Sequence, residues 1–143
     1  GMKAPFALVF AVLLGLLAGP AVAAPAAKAP PPGSSVEMPY LVAPMATDEG
    51  RLAGYAYISI KLVARSPNSA VKIRGKVPFI QDAFVRDVNR DMLPATGDPA
   101  KIDRAPLAAR LLADARRIAG TAEVVSLEII RIQVTTLRDT PQG

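Results

Sequence analysis

The chain contains no histidine, no cysteine and no tryptophan. Each absence closes a class of chemistry. Without His there is no side chain poised by default to exchange a proton near neutrality, and no Ser–His–Asp arrangement. Without Cys there is no thiolate nucleophile. His and Cys together are also the usual ligands of zinc, copper and haem iron. No disulfide can form and no lipid can be carried on a cysteine, so any stability outside the cytoplasm comes from packing alone. With no Trp, three Tyr and four Phe, an aromatic surface for stacking sugars or bases is not expected. Charge is also sparse: Lys and Arg total 17 against 12 Asp and Glu. The basic residues are scattered, with no run longer than Arg116-Arg117, so a nucleic-acid footprint is not expected.

What is present begins with an uncharged stretch. Lys3 is followed by a run from Ala4 to Ala27 without a charged residue. Its Leu-rich core, Phe6 to Leu17, precedes Gly19-Pro20 and then Ala21-Val22-Ala23. One Lys, an apolar core and an A-x-A site have the form of a secretory signal peptide, cleaved after Ala23. Gly1, ahead of Met2, is read as an addition to the chain. The competing expectation is an uncleaved anchor, because about 20 apolar residues suffice to span a bilayer. Export to the periplasm is therefore expected, with anchoring in the inner membrane, facing the periplasm, as the alternative. The 51% hydrophobic content overstates the core, since this segment inflates it.

Residues 24–35, APAAKAPPPGSS, are expected to form an Ala/Pro-rich spacer. Three consecutive prolines favour an extended polyproline II course, and Gly33-Ser34-Ser35 adds flexibility. The folded domain is expected over 36–138, with a short tail at 139–143. Tyr40-Leu-Val-Ala-Pro-Met45 reads as an edge strand, since Pro44 cannot donate to a ladder. Thr47-Asp-Glu-Gly50 is turn chemistry. From Arg51 to Val63 the residues alternate, with Leu52, Gly54, Ala56, Ile58, Ile60 and Leu62 on one side, which predicts a long strand and a hairpin.

Ser66-Pro67-Asn68-Ser69 marks a turn or helix start, and Ala70 to Lys76 is ambiguous. Pro78 opens a helix whose Ile80, Phe84 and Val88 form one apolar stripe. Pro94 to Pro99 is a loop. A second helix, Asp103 to Ile118, has Asp103 placed to cap it, a stripe of Leu107, Leu111, Ala115 and Ile118, and Gly120 as its stop. Val124 to Leu137 is a second long strand. Leu127 and Ile129 share one parity, and Ile130, Ile132 and Val134 the other, so a β-bulge or a fully buried stretch is expected at Ile129-Ile130. The fold class is α+β: an antiparallel sheet of three or more strands with two helices packed on one face.

Residues arranged for chemistry are few. Ser59 and Lys61 share a strand face, but neighbours two apart imply no general base. Asp48 and Glu49 sit in a turn, and Asp82, Asp87 and Asp91 do not share one helical face. Arg86, Arg90, Arg110, Arg116 and Arg117 lie on the two helices and could line a basic surface for anionic headgroups or an acidic partner. No catalytic, cofactor-binding or metal-ligating residues are assigned, no cofactor is expected, and the chain is read as a non-enzyme.

Three segments carry a family resemblance. Tyr40 to Met45 before Gly50-Arg51-Leu52, Val77-Pro-Phe-Ile-Gln-Asp-Ala-Phe84, and Ile129-Ile-Arg-Ile-Gln-Val134 resemble the opening strand pair, the helix start and the closing strand of the flagellar basal-body-associated FliL family's periplasmic domain. The resemblance implies a stomatin- and prohibitin-like fold and a non-enzymatic scaffold of the cell envelope near the flagellar motor. It also implies a protein partner, including further copies of the same chain, close to a membrane. The alternative expectation is a small periplasmic ligand-binding protein with an apolar pocket between helices and sheet. Nucleic acid is not an expected partner.

Overall fold

A computed structural model describes residues 29–137. The export segment, the start of the spacer and the 139–143 tail lie outside the described residues. In chain order the elements are β1 (Ser35–Glu37), β2 (Leu41–Ala46), β3 (Leu52–Ala64), α1 (Pro67–Arg74), α2 (Val77–Arg90), β4 (Leu93–Pro94), a 3-10 turn (Pro99–Lys101), α3 (Arg104–Ala119) and β5 (Val124–Thr136). The layout is α+β, with helices packed against one sheet.

The alternation in β3 sets the two faces. Ala56, Ile58, Ile60 and Leu62 are buried, while Tyr55, Tyr57, Ser59 and Lys61 between them are half-buried on the open face. A one-residue slip would exchange the two sets, so the register is strongly specified. On one side β3 pairs with β2, through Leu41 opposite Ile58, and further along with β1, through Val36 opposite Leu62. On its other side it pairs with β5 over nearly its whole length. The antiparallel core of the sheet is joined by the two-residue β4, parallel to β2, so the sheet is mixed.

The parity change in β5 has the expected cause. Ser59 faces Arg131 and Ile60 faces Ile129, so Ile130 is an extra residue bulged out of the ladder. A second shift, between Val63 and Ala64, leaves Val125 bulged in the same way. Both side chains are exposed. At the far end Gly54 admits the backbone of β5: a Cβ there would lie 2.2 Å from the Thr135 carbonyl oxygen.

Three helices cover the buried face. Ile80, Phe84 and Val88 of α2 are fully buried, as are Leu111 and Ala115 of α3, with Leu107 nearly so. Burying one such large apolar side chain contributes roughly 1.5–3 kcal/mol. The third helix, α1, occupies the ambiguous stretch. The Ser69 N–H donates to Ser66 Oγ at 3.1 Å, a side-chain cap on a short helix. Asp103 stands at the N-cap of α3 but makes no capping bond, and Gly120, at φ +108°, ends that helix as expected.

The fold starts slightly earlier than the sequence suggests. Ser35 belongs to the sheet rather than to the spacer, opening β1, and Ser34 just before it is bonded to the sheet, its carbonyl accepting from the Ala64 N–H at 2.7 Å. Flexible composition is overridden there by an open position beside β3. Among the described residues no helix is long and apolar enough to cross a membrane.

Candidate functional site

The contact between α2 and α3 carries two buried carboxyl groups. Asp87 of α2 and Asp114 of α3 are 4% and 6% exposed. Each falls on its helix's apolar stripe, Asp87 three residues after Phe84 and Asp114 three after Leu111. Burying ionised carboxylates is costly unless they are paired. Arg110 donates to Asp87 through Nε at 3.0 Å and also reaches the Asp91 carbonyl at 3.1 Å. Arg117 donates to Asp114 Oδ1 at 3.0 Å. Asp114 Oδ2 is buried and accepts no hydrogen bond among the described residues.

These surroundings separate the two acids. Burial, reinforced by the neighbouring Asp87 carboxyl, pushes Asp114 up to about 6. Burial also pushes Asp87 up, but the adjacent Asp114 carboxyl, the Arg110 hydrogen bonds and the charges of Arg110 and Arg90 outweigh it, leaving Asp87 below the ordinary value. In mildly acidic solution Asp114 is therefore the protonated partner and can donate its proton to Asp87. A shallow groove of about 360 Å³ opens beside Asp114, walled by Phe79, Asp82, Arg86, Arg90 and Ile118. Its lining holds no hydroxyl or amine nucleophile. The pair can hold a proton between the helices.

The five arginines do not form one basic surface. Arg86 pairs with Asp82 at 3.0 Å, Arg90 approaches Asp87 at 3.8 Å, and Arg110 and Arg117 serve the buried acids. The acids interleave with the arginines and cancel much of their field. Arg116 is used differently: it donates to the Val124 carbonyl at 3.0 Å and the Val125 carbonyl at 2.9 Å.

The remaining residues weighed for chemistry are dispersed. Lys61 reaches Glu128 across the sheet at 3.5 Å, and Ser59 stands opposite Arg131. Asp48 and Glu49 are exposed in the β2–β3 turn. No cluster of metal-binding side chains occurs among the described residues.

The other notable feature is the outer side of β5. Among the described residues no strand pairs there. Its first half is guarded, because Arg116 occupies the Val124 and Val125 carbonyls and Arg104 reaches the Ile129 carbonyl at 3.4 Å. Two bulges distort the same half. Such devices discourage edge-to-edge pairing. From Arg131 to Thr136 no bulge occurs and, among the described residues, no arginine bonds an outward carbonyl, although the 3-10 turn packs against the strand, with Gly97 beside the Thr136 methyl. The Leu137 N–H donates inward to the Ala53 carbonyl, and strand alternation then turns the N–H and C=O groups of Ile132, Val134 and Thr136 outward.

Sequence patterning places β5 as a strand but not as an edge, since strand order is a non-local property. Asp114 was also missed, although a carboxylate on an otherwise apolar stripe was the available signal. No family model, no curated protein and no solved structure matches this chain.

Proposed function

We propose that this protein is a non-enzymatic scaffold module of the cell envelope, assembling with further copies of itself through the free half of β5. The observation that carries the reading is the unpaired, unbulged stretch of β5 from Arg131 to Thr136, beside a half whose carbonyls are capped and whose ladder is bulged. On β5, selective guarding leaves one short segment able to accept a strand.

A twofold axis at Val134 gives a self-consistent pairing. Val134 faces its own copy, Gln133 faces Thr135, Ile132 faces Thr136, and Arg131 faces Leu137. No like charges meet, and amide and hydroxyl groups align on the open face. Sedimentation velocity tests it. The protein is expected to dimerise, and Val134→Pro, which deletes an outward N–H and no bond to β3, is expected to be monomeric with its circular dichroism retained. A wild-type monomer at all concentrations would reject the reading.

The envelope setting is supported by the uncharged run Ala4 to Ala27, and the FliL-like element by the three segments named above. If the motor role holds, deleting the gene changes swimming speed; unchanged motility would remove that element and leave the scaffold reading in place.

A second reading, the ligand-binding protein, is favoured by a cleft of about 500 Å³ beside β4. It is lined by Leu93, Pro94, Ile102 and Leu107, with Lys101 and Arg110 at hand. Its volume is in the range of small-molecule sites. Native mass spectrometry of the exported protein would reveal a co-purifying ligand.

A further inference from the structure

The corner between α1 and α2 exposes two large apolar side chains. Val71 is 64% exposed and Phe79 is 61% exposed. From Arg65 to Gln81 the chain has no acidic residue, while it carries Arg65, Lys72, Arg74 and Lys76. The Lys76 ammonium lies over the Phe79 ring, 6.0 Å from its centroid. Arg74 donates to the Ser35 carbonyl at 3.2 Å. Glu123 offsets part of this charge, lying 3.3 Å from Arg65 and 3.6 Å from Lys72. Phe79 also forms one wall of the α2–α3 groove, with Asp82 a turn further on, so the basic excess lies on the α1 side of the corner, around Val71 and Lys76.

We propose that the α1–α2 corner docks on an anionic lipid bilayer, with Phe79 and Val71 entering the headgroup boundary and Lys72 and Lys76 meeting lipid phosphates. Two observations favour a membrane over an acidic protein. First, apolar side chains within a basic surface match an interface that is negative outside and apolar within. Second, the uncharged run ending at Ala27 is only a few residues from Gly33, which lies against Pro67, the first residue of α1. That connection spans at most ~20 Å when fully extended. Wherever the run is retained in a bilayer, the start of α1 is held near the surface with the corner about 12 Å of helix away, within reach of it, and tethering raises the effective concentration of a weak contact.

The chain has no tryptophan, so Phe79→Trp introduces a single fluorophore at an exposed position. The full chain carrying it is reconstituted into phosphatidylcholine vesicles with and without phosphatidylglycerol. The expected result is a blue shift and quenching by brominated lipid in the anionic vesicles only. Adding Lys72→Glu and Lys76→Glu abolishes both, while flotation shows the chain still vesicle-bound and circular dichroism shows it folded. Unquenched emission in anionic vesicles, equal quenching in neutral ones, or quenching that survives charge reversal would each overturn the proposal. None of these outcomes bears on the β5 edge, whose test is oligomeric state.

Discussion

Asp87 and Asp114 meet across the α2–α3 contact as acids of unequal strength, one anchored by Arg110 and the other held up to about 6 by burial and by its neighbour. Two ionised carboxylates in that position repel each other, so the helix contact is most favourable when the pair holds one proton.

The pH dependence follows. Asp114 has an ordinary value of 3.8 when unfolded and about 6 when folded. Between these values the native state binds the extra proton, so its stabilising effect is full below 3.8 and is lost as pH rises through 6. Asp87 has the opposite sign: its depressed folded value adds stability as pH rises towards 3.8. The Asp114 contribution, read as the difference in urea midpoint between the wild type and Asp114→Asn so that opposing groups such as Glu123 cancel, is expected to fall by on the order of 2–3 kcal/mol as pH rises from 3.8 to 6. Asp114→Asn serves as the reference because its amide donates to Asp87 at every pH.

Arg110 offsets the burial of Asp87, and it also reaches the Asp91 carbonyl. Arg110→Met keeps the stem and deletes the donors. Breaking a fully buried pair costs about 3–5 kcal/mol, and Arg110 is itself partly exposed. A loss of about 2 kcal/mol in denaturant unfolding is expected, shrinking in acid as Asp87 protonates.

Arg116 guards the first half of β5 by occupying two carbonyls. Arg116→Ala is expected to lower stability by about 1–2 kcal/mol, the worth of bonds to a charged donor. It is also expected to raise higher-order association, because a second stretch of edge becomes available. Light scattering distinguishes this from the dimer proposed for the wild type.

Gly54 allows the end of β5 to approach closely. Gly54→Ala places a Cβ 2.2 Å from the Thr135 oxygen and 2.9 Å from the Thr136 Cα, and backbone atoms cannot move aside as a flexible side chain could. The expected cost is about 2–3 kcal/mol, with weakened self-association, since the displaced residues form the free edge. Thermal unfolding and sedimentation measure the two effects.

Local patterns made much of this fold readable. The alternation of β3 sets the buried face, and the parity change at Ile129-Ile130 announces the bulge. The stripe of Ile80, Phe84 and Val88 defines α2. Features that depend on distant partners were not readable. Ser35 becomes strand only because β3 is beside it. The short α1 has little periodicity and rests on the Ser66 cap. The arginines look like a basic surface until packing interleaves them with Asp82, Asp87, Asp91 and Asp114. The edge position of β5, on which the proposed function turns, is a property of sheet order.

Amide hydrogen exchange, followed residue by residue against protein concentration, tests self-pairing most directly. The N–H groups of Ile132, Val134 and Thr136 face outward and are expected to exchange quickly in dilute protein and slowly in concentrated protein. Those of Arg131, Gln133 and Thr135, already bonded to β3, are expected to be protected throughout. Outward amides that exchange equally fast at every concentration would contradict assembly through β5.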